Sequence, residues 1–194
     1  MNKNKKILLI LGHPMRDSFC GALAREYAMG ARSAGAEVRV INLGEIDFDP
    51  ILHRGYREIQ ELESGLEKAR EDIKWAEHIV FVYPIWWGTM PALLKGFFDR
   101  VFLPGFAFKY TGEYSWKRLL KGRSARLLVT MDAPPLFHRF VLGSPGIKTM
   151  KRAILEMSGV RPVKVTMFGS VKNSSSARKE QWLKKARNLG KRLA

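Results

Sequence analysis

Three stretches of this chain are apolar at essentially every position: Ile7-Leu8-Leu9-Ile10-Leu11, Ile79-Val80-Phe81-Val82-Tyr83 and Leu127-Leu128-Val129-Thr130-Met131. A strand with one face in water alternates apolar and polar residues, because successive side chains point to opposite sides. Continuous apolar strands need cover on both faces, the condition of strands inside a parallel sheet.

The segments between these runs carry helical periodicity. Residues 18–33 are expected to form a helix with Ser18 as N-cap, 58–76 a second, 91–102 a third opened by Pro91, and 146–158 a fourth closed by Gly159. Residues 174–193 give a last helix, with Trp182, Ala186, Leu189 and Leu193 on one face. Val38-Arg39-Val40-Ile41 and Val163-Lys164-Val165-Thr166-Met167 show partial alternation, as edge strands do. Five strands with helices between them imply βαβ units. Placing the two alternating strands at the edges gives the order 2-1-3-4-5 with helices on both faces. That is a flavodoxin-like, doubly wound α/β sheet. The whole chain, 1–194, is expected to be one such domain. Two segments break the alternation. Residues 42–56, with Asp47-Phe48-Asp49-Pro50, read as loop, and 103–124, with Phe106-Ala107-Phe108-Lys109-Tyr110, as a long insert that suits a hairpin. Inserts of that length in a compact domain are functional or interfacial as a rule.

Composition narrows the class. Hydrophobic residues make up 46% and charged residues 27%, as in globular proteins. No apolar run approaches the roughly 20 residues of a membrane-spanning helix, and the basic start followed by Ile7–Leu11 is too short for a signal segment. A cytoplasmic location is expected. The one cysteine, Cys20, excludes an internal disulfide and a thiolate metal cage, and fits a reducing compartment. The net charge of +16 is high. It suits anionic cofactors, nucleic acid or an acidic membrane surface. Seven of the 18 acids fall between Glu58 and Glu77, within the expected second helix, whereas the last helix is basic. A solvated helix face is the expectation for that tail. No zinc-finger spacing or RNA-binding aromatic motif accompanies the charge, so nucleic acid is not expected as a partner.

A doubly wound sheet binds ligands beyond the carboxyl ends of its strands, at the switch between strands 1 and 3. Three loops therefore matter. The first, Gly12-His13-Pro14-Met15-Arg16-Asp17-Ser18-Phe19-Cys20, has neither GxGxxG nor a P-loop. It enters a helix whose first amides are free to bind phosphate, with Ser18, His13 and Arg16 at hand and Asp17 acting against an anion. An ordinary N-cap at Ser18 is the alternative. The second, Tyr83-Pro84-Ile85-Trp86-Trp87-Gly88-Thr89-Met90-Pro91, sets two tryptophans at the mouth of the sheet. They suit a flat ligand such as an isoalloxazine. From the residues alone, packing beneath the next helix is the expectation. The third begins Thr130-Met131-Asp132-Ala133-Pro134-Pro135 and contains His138, either a general acid or, as the residues alone suggest, an exposed histidine in a mobile loop. Cys20 has no neighbouring base in sequence and is expected to be inert.

These residues resemble the NAD(P)H:quinone oxidoreductase family of flavodoxin-like flavoproteins. The resemblance runs through Gly12-His13-Pro14 with Ser18-Phe19 and then Asp47-Phe48-Asp49-Pro50. It is strongest in Pro84-Ile85-Trp86-Trp87, the block Pro91-Ala92-Leu93-Leu94-Lys95-Gly96-Phe97-Phe98-Asp99-Arg100-Val101-Phe102 and Gly105-Phe106-Ala107-Phe108. It implies that His13, Ser18 and Phe19 hold the phosphate and ribityl chain of a flavin, FMN or FAD, with Cys20 where relatives often have Asn. It implies that Pro84, Ile85, Trp86, Trp87 and Gly88 border the flavin ring. It implies that Tyr110 is a lid residue reaching the substrate pocket of a partner subunit, hence a homodimer. The third loop departs from the family: relatives carry Thr-Thr-Gly-Gly where this chain has Thr130-Met131-Asp132-Ala133. Asp132 would lie near the ring, and His138 does not align with the family histidine.

The implied reaction is ping-pong. NAD(P)H passes hydride to flavin N5, leaves, and is replaced by a quinone-like or other small aromatic acceptor, with the protein supplying position and electrostatics. The basic surface would favour NADPH or peripheral contact with an acidic membrane that carries quinone. Some members of the family serve instead as ancillary regulatory subunits of potassium-efflux transporters. A one-electron carrier would not need an aromatic pocket with a lid.

Overall fold

The computed structural model describes residues 4–192. Its sheet has five parallel strands: β1 (Lys6–Leu11), β2 (Glu37–Asn42), β3 (His78–Pro84), β6 (Ser124–Thr130) and β7 (Val163–Phe168). They are ordered β2-β1-β3-β6-β7, which is 2-1-3-4-5 counted within the sheet. The insert forms a two-stranded antiparallel hairpin, β4 (Phe108–Gly112) with β5 (Ser115–Arg118), as its sequence suggests. The helices are α1 (Phe19–Ser33), α2 (Ser64–Trp75), α3 (Ala92–Val101), the short α4 (Pro135–Phe140) and α5 (Pro145–Lys148), and α6 (Ser176–Lys191). A π-helical stretch, Thr149–Glu156, continues α5. Among the described residues no helix is long and apolar enough to cross a membrane.

The alternate residues of β1 divide between two apolar clusters. Leu8 and Ile10 pack with Leu66 and Ile73 of α2 and Leu94 and Phe97 of α3. Ile7, Leu9 and Leu11 pack with Leu23 and Tyr27 of α1 and with Ala186 of α6. Ile7 to Leu11 are all buried, which is why the run carries no polar position, and only Lys6 at its start is exposed. Helices α1 and α6 approach closely through glycine. A Cβ on Gly30 would lie 2.0 Å from the Arg187 carbonyl oxygen, and one on Gly190 would lie 2.1 Å from that of Tyr27. The Arg187 guanidinium closes the same contact as a two-pronged pair with Glu26, at 2.6 and 3.0 Å. The rest of the basic tail is largely exposed, as expected of a solvated face; Leu193 lies outside the described residues.

The second helix is shorter than its sequence suggests. It starts at Ser64, not Glu58, and only Glu67, Glu71 and Asp72 of the seven acids lie within it. The reason is Arg100, a cation almost completely buried on α3. Its guanidinium donates to the carbonyls of Asp49 and Glu61 and pairs with both carboxylate oxygens of Glu63, at 3.1 and 3.0 Å. The Glu61 carbonyl is turned to this guanidinium, and the Glu63 side chain is held by it just before the helix starts. A buried guanidinium requires partners for its charge, and residues 49–63 supply them. Gly96, one turn earlier, admits the same loop: a Cβ there would lie 2.4 Å from Pro50 Cβ. The segments Asp47-Phe48-Asp49-Pro50 and Gly96–Arg100 are therefore two halves of one structural clamp.

Two measurements check this packing. Gly30→Val must push α6 off α1, and urea denaturation should show a loss of about 1–3 kcal/mol or more, the range of overpacked sites; an unchanged midpoint would contradict the close approach. His78 is buried, bonded to Ser124 Oγ at 2.8 Å, and pushed down to about 3 by burial, with Lys5, Arg126 and Lys164 adding positive charge. A histidine kept neutral in the folded state gives stability that is complete above its ordinary value near 6.5 and is lost as pH falls from there towards 3. Its contribution to the slope approaches about 1.4 kcal/mol per pH unit. Denaturation series between pH 7 and pH 4.5 should show that slope flattened in His78→Asn, and parallel curves for the two proteins would rule His78 out as its cause.

Candidate flavin site

Strands β1 and β3 are neighbours, with Leu11 paired to Val82. Their following helices depart to different apolar clusters, α1 to one and α3 to the other. Such a divergence opens a crevice at the carboxyl ends of the two strands. The loop after β1 fills one side of it. Gly12 N–H donates to the Val82 carbonyl at 2.8 Å, and a Cβ on Gly12 would lie 2.7 Å from Leu94 Cδ2. The loop then folds back on the first turn of α1. The Arg16 carbonyl sits 1.9 Å from where a Cβ on Gly21 would be, so only glycine allows that approach.

The turn after β3 is a two-residue reversal. Trp86 N–H donates to the Thr89 carbonyl at 2.9 Å, and Thr89 N–H returns the bond to Trp86 at 3.1 Å. The central residues, Trp87 and Gly88, have φ of +50° and +79°. Positive φ at both positions is the type I′ geometry. The two bonds of this turn do not use the amides of Trp87 and Gly88. The tryptophans do not pack beneath α3 as the residues alone suggested. Trp86 is 45% exposed and Trp87 wholly so. The type I′ reversal forces this outcome: it turns the chain outward at its central residues before Met90 re-enters the core. The His13 ring meets Trp86 edge-on, with centroids 5.5 Å apart, so the first two loops join here. His13 Nδ1 lies 2.9 Å from Met15 N–H and 3.0 Å from the Met15 carbonyl, and burial lowers its pKa although the carbonyl favours the charged ring.

The third loop is tied to the other two. Ile85 N–H donates to the Thr130 carbonyl at 2.7 Å, and Cys20 Sγ contacts Thr130 Oγ1 at 3.1 Å. Gly146 N–H donates to the Gly88 carbonyl at 3.1 Å, and a Cβ on Gly146 would lie 2.5 Å from Thr89 Cα. His138 is not an exposed loop histidine. It is 1% exposed, on α4, with Nδ1 3.2 Å from Ser144 Oγ and with no partner for Nε2 among the described residues. It stands on a short helix that turns this one side chain inward and leaves its apolar neighbours outside. Desolvation lowers its pKa and favours the neutral ring.

Several side chains in the expected site have partners inside the chain. Ser18 Oγ accepts from Gly21 N–H at 3.2 Å, the N-cap of α1. Phe19 packs on Trp182 with centroids 6.0 Å apart. Arg16 lies 3.6 Å from Glu45. Asp132 Oδ1 accepts from Lys172 N–H at 3.0 Å, so it fixes the chain after β7. What this leaves at the helix start is main chain: the amides of Phe19 and Cys20 stand in the first turn, where no helical acceptor exists. Pro84 and Thr130 are buried strand ends that position the turn. Tyr110 lies elsewhere. Its hairpin is anchored near the start of β7 by Leu120 N–H on the Ser158 carbonyl at 2.9 Å and Trp116 Nε1 on that of Met157 at 3.3 Å. That is the amino end of the sheet, so within one chain Tyr110 does not meet the turn at residues 86–89. A depression of about 610 Å³ between residues 52–62 and Pro104 also lies at that far end of α3, away from the three loops. Sequence reasoning missed Gly21 and Gly146, whose signal, a glycine inside or at the head of a helix, is weak when read alone.

Comparison with known proteins agrees with this geometry. A family model described as flavodoxin-like fold matches residues 5–193. An uncharacterized NAD(P)H oxidoreductase of Haemophilus influenzae is 29% identical over 171 residues, covering 84% of this chain and 83% of that protein. The ribosyldihydronicotinamide dehydrogenase [quinone] of Pongo abelii is 30% identical over 147 residues, 65% of this chain, which thus spans less than two thirds of that relative, 63% of it. The structure of an NAD(P)H:quinone oxidoreductase from Methanothermobacter marburgensis superimposes with a TM-score of 0.83 at 26% identity, over 98% of this chain and 97% of that one.

The contact between Cys20 and Thr130 gives a direct check. Burial pushes the thiol up to about 12. An aromatic disulfide reagent at pH 8 should leave Cys20 unmodified in the folded protein and label it fully in guanidinium. Rapid labelling of the native state would mean that the α1 start is open and the first loop is not seated as described.

Proposed function

The chain belongs to the flavodoxin-like family, and from that premise we propose that it is a flavin-dependent NAD(P)H oxidoreductase. The observation that carries the reading is the type I′ turn at Trp87 and Gly88, which presents tryptophan and free main-chain amides over the crevice between β1 and β3. A flavin needs three things from a protein: donors for its phosphate, a planar apolar wall, and donors for the ring edge that gains charge on reduction. The residues present fit each. The first turn of α1 offers the amides of Phe19 and Cys20 beside His13, the Trp86 and Trp87 rings offer the wall, and the Trp87 and Gly88 amides serve the edge. Ser18 and Arg16, at the same helix start, and Asp132, in the third loop, are read as lining the cofactor site while they also shape its loops. The reading takes the sheet as doubly wound, with α1 and α6 on one face and α2 and α3 on the other, in a single domain of 194 residues.

When bound, the flavin supplies the redox chemistry, accepting hydride from NAD(P)H and passing two electrons to a quinone-like or other small aromatic acceptor in ping-pong fashion. The protein's own part is positional. The rings of Trp86 and His13 hold each other edge-on and restrict where a flat group can stack. His138, kept neutral beneath the third loop, is the group we assign to moving the acceptor's proton. Tyr110, remote within its own chain, completes the pocket from a second subunit in a homodimer. The setting is the cytoplasm.

The purified protein should be yellow, or become so on incubation with FMN or FAD, and should bleach with NADPH or NADH under nitrogen. Chromatography of the released cofactor identifies which flavin it carries. Trp87→Ala should weaken flavin binding by roughly tenfold, the scale of one aromatic contact. A protein that takes up neither flavin would sink the reading.

A further inference from the structure

The third loop carries a feature that flavin chemistry does not need. Leu136, Phe137, Phe140, Val141 and Leu142 are all exposed, with Leu136 at 69%, Phe140 at 72% and Val141 at 66%. They stand on α4 and the residues after it, while His138 points inward from the same turn. Apolar side chains this close together are costly in water, and soluble chains rarely keep such a patch without a partner for it. The segment is also held firmly. Ser144 N–H donates to the His138 carbonyl at 3.0 Å, and Gly146 is bonded to the Gly88 carbonyl.

Between Asp132 and Glu156, the segment that carries the patch has charges of one sign. Residues 133–155 contain Arg139, Lys148, Lys151 and Arg152 and no aspartate or glutamate. The Arg139 guanidinium lies 5.3 Å from the Phe140 ring centre, and Lys148 Nζ reaches within 3.7 Å of the Cβ position at Gly143. Apolar tips with cations at their margin suit the headgroup layer of a bilayer, where acyl chains take the first and anionic lipids the second. A second copy of this chain is a poorer occupant, since two-fold pairing of the face would oppose cation to cation with no carboxylate in the segment to compensate. We propose that the exposed face of residues 136–142, edged by Arg139 and Lys148, seats the protein on the surface of an anionic lipid bilayer. The proposal stands on the patch and its charge. Only its consequence, that a lipid-soluble acceptor would reach the crevice from the membrane side, rests on the oxidoreductase reading.

The test uses the full-length protein and sedimenting vesicles of phosphatidylcholine, alone or mixed with phosphatidylglycerol. The protein should pellet with the mixed vesicles and stay in solution with the neutral ones. The double variant Phe140→Ser/Val141→Ser should lower the partition at least about tenfold, given the apolar area removed. Arg139→Glu, which leaves the apolar tips in place, should lower it too. Thermal melts by circular dichroism should match the wild type for both, as the changed side chains are exposed. Absence of pelleting with either lipid overturns the proposal, as does equal pelleting of wild type and the double variant. Light scattering that shows the double variant losing a dimer also overturns it, because the face is then covered by a second copy. Vesicle binding by a protein that takes up no flavin would uphold this proposal and sink the oxidoreductase reading alone.

Discussion

The pairing of β1 with β3 is the constraint from which the rest follows. Both strands are buried on both faces, and each must send its chain to a helix that covers one of them. Because α1 and α3 enter different clusters, the two loops part at the strand ends. Small residues let these loops lie close to the helices on either side of that divergence. Gly12 rests against Leu94, and Gly21 rests against the Arg16 carbonyl. The site is thus a by-product of covering the sheet, and its chemistry depends on which side chains stand at the three exits.

Within the block that most resembles known quinone reductases, much of the specificity turns out to be structural. Arg100 carries a full charge into the core and is answered by Glu63 and two carbonyls. Gly96 makes room for Pro50. Removing one partner of such a buried pair leaves an uncompensated charge, which is strongly destabilising. The residues that mark this chain most clearly therefore act on loop position, and the groups that would touch a flavin are fewer: a turn, a helix start and one histidine.

The sheet order was legible because strand burial is written in the sequence as missing alternation, and edge strands β2 and β7 as its partial return. The hairpin in the long insert was legible for a similar reason. What could not be read was the start of α2, since residues 58–63 have good helical composition and lose it only to a guanidinium more than thirty residues away. The orientation of Trp86 and Trp87 was equally hidden. A pair of tryptophans says nothing of itself about direction; the positive φ at Trp87 and Gly88 decides it. His138 was expected to be an exposed residue of a mobile loop, whereas the fold forms a short helix there, turns this residue inward and leaves its apolar neighbours outside.

Trp87 has a further consequence. A bulky residue in the left-handed region is an uncommon state, with a cost of order 1–3 kcal/mol. That cost is met when the chain folds, by the closed turn and by the hold of Gly146 on the Gly88 carbonyl. A flat molecule arriving in the crevice thus meets a ring whose backbone has no freedom left to lose. The entropy of ordering the turn is absent from the binding step, so affinity there should track stacking and shape more than loop closure, and the off-rate should be insensitive to loop motion.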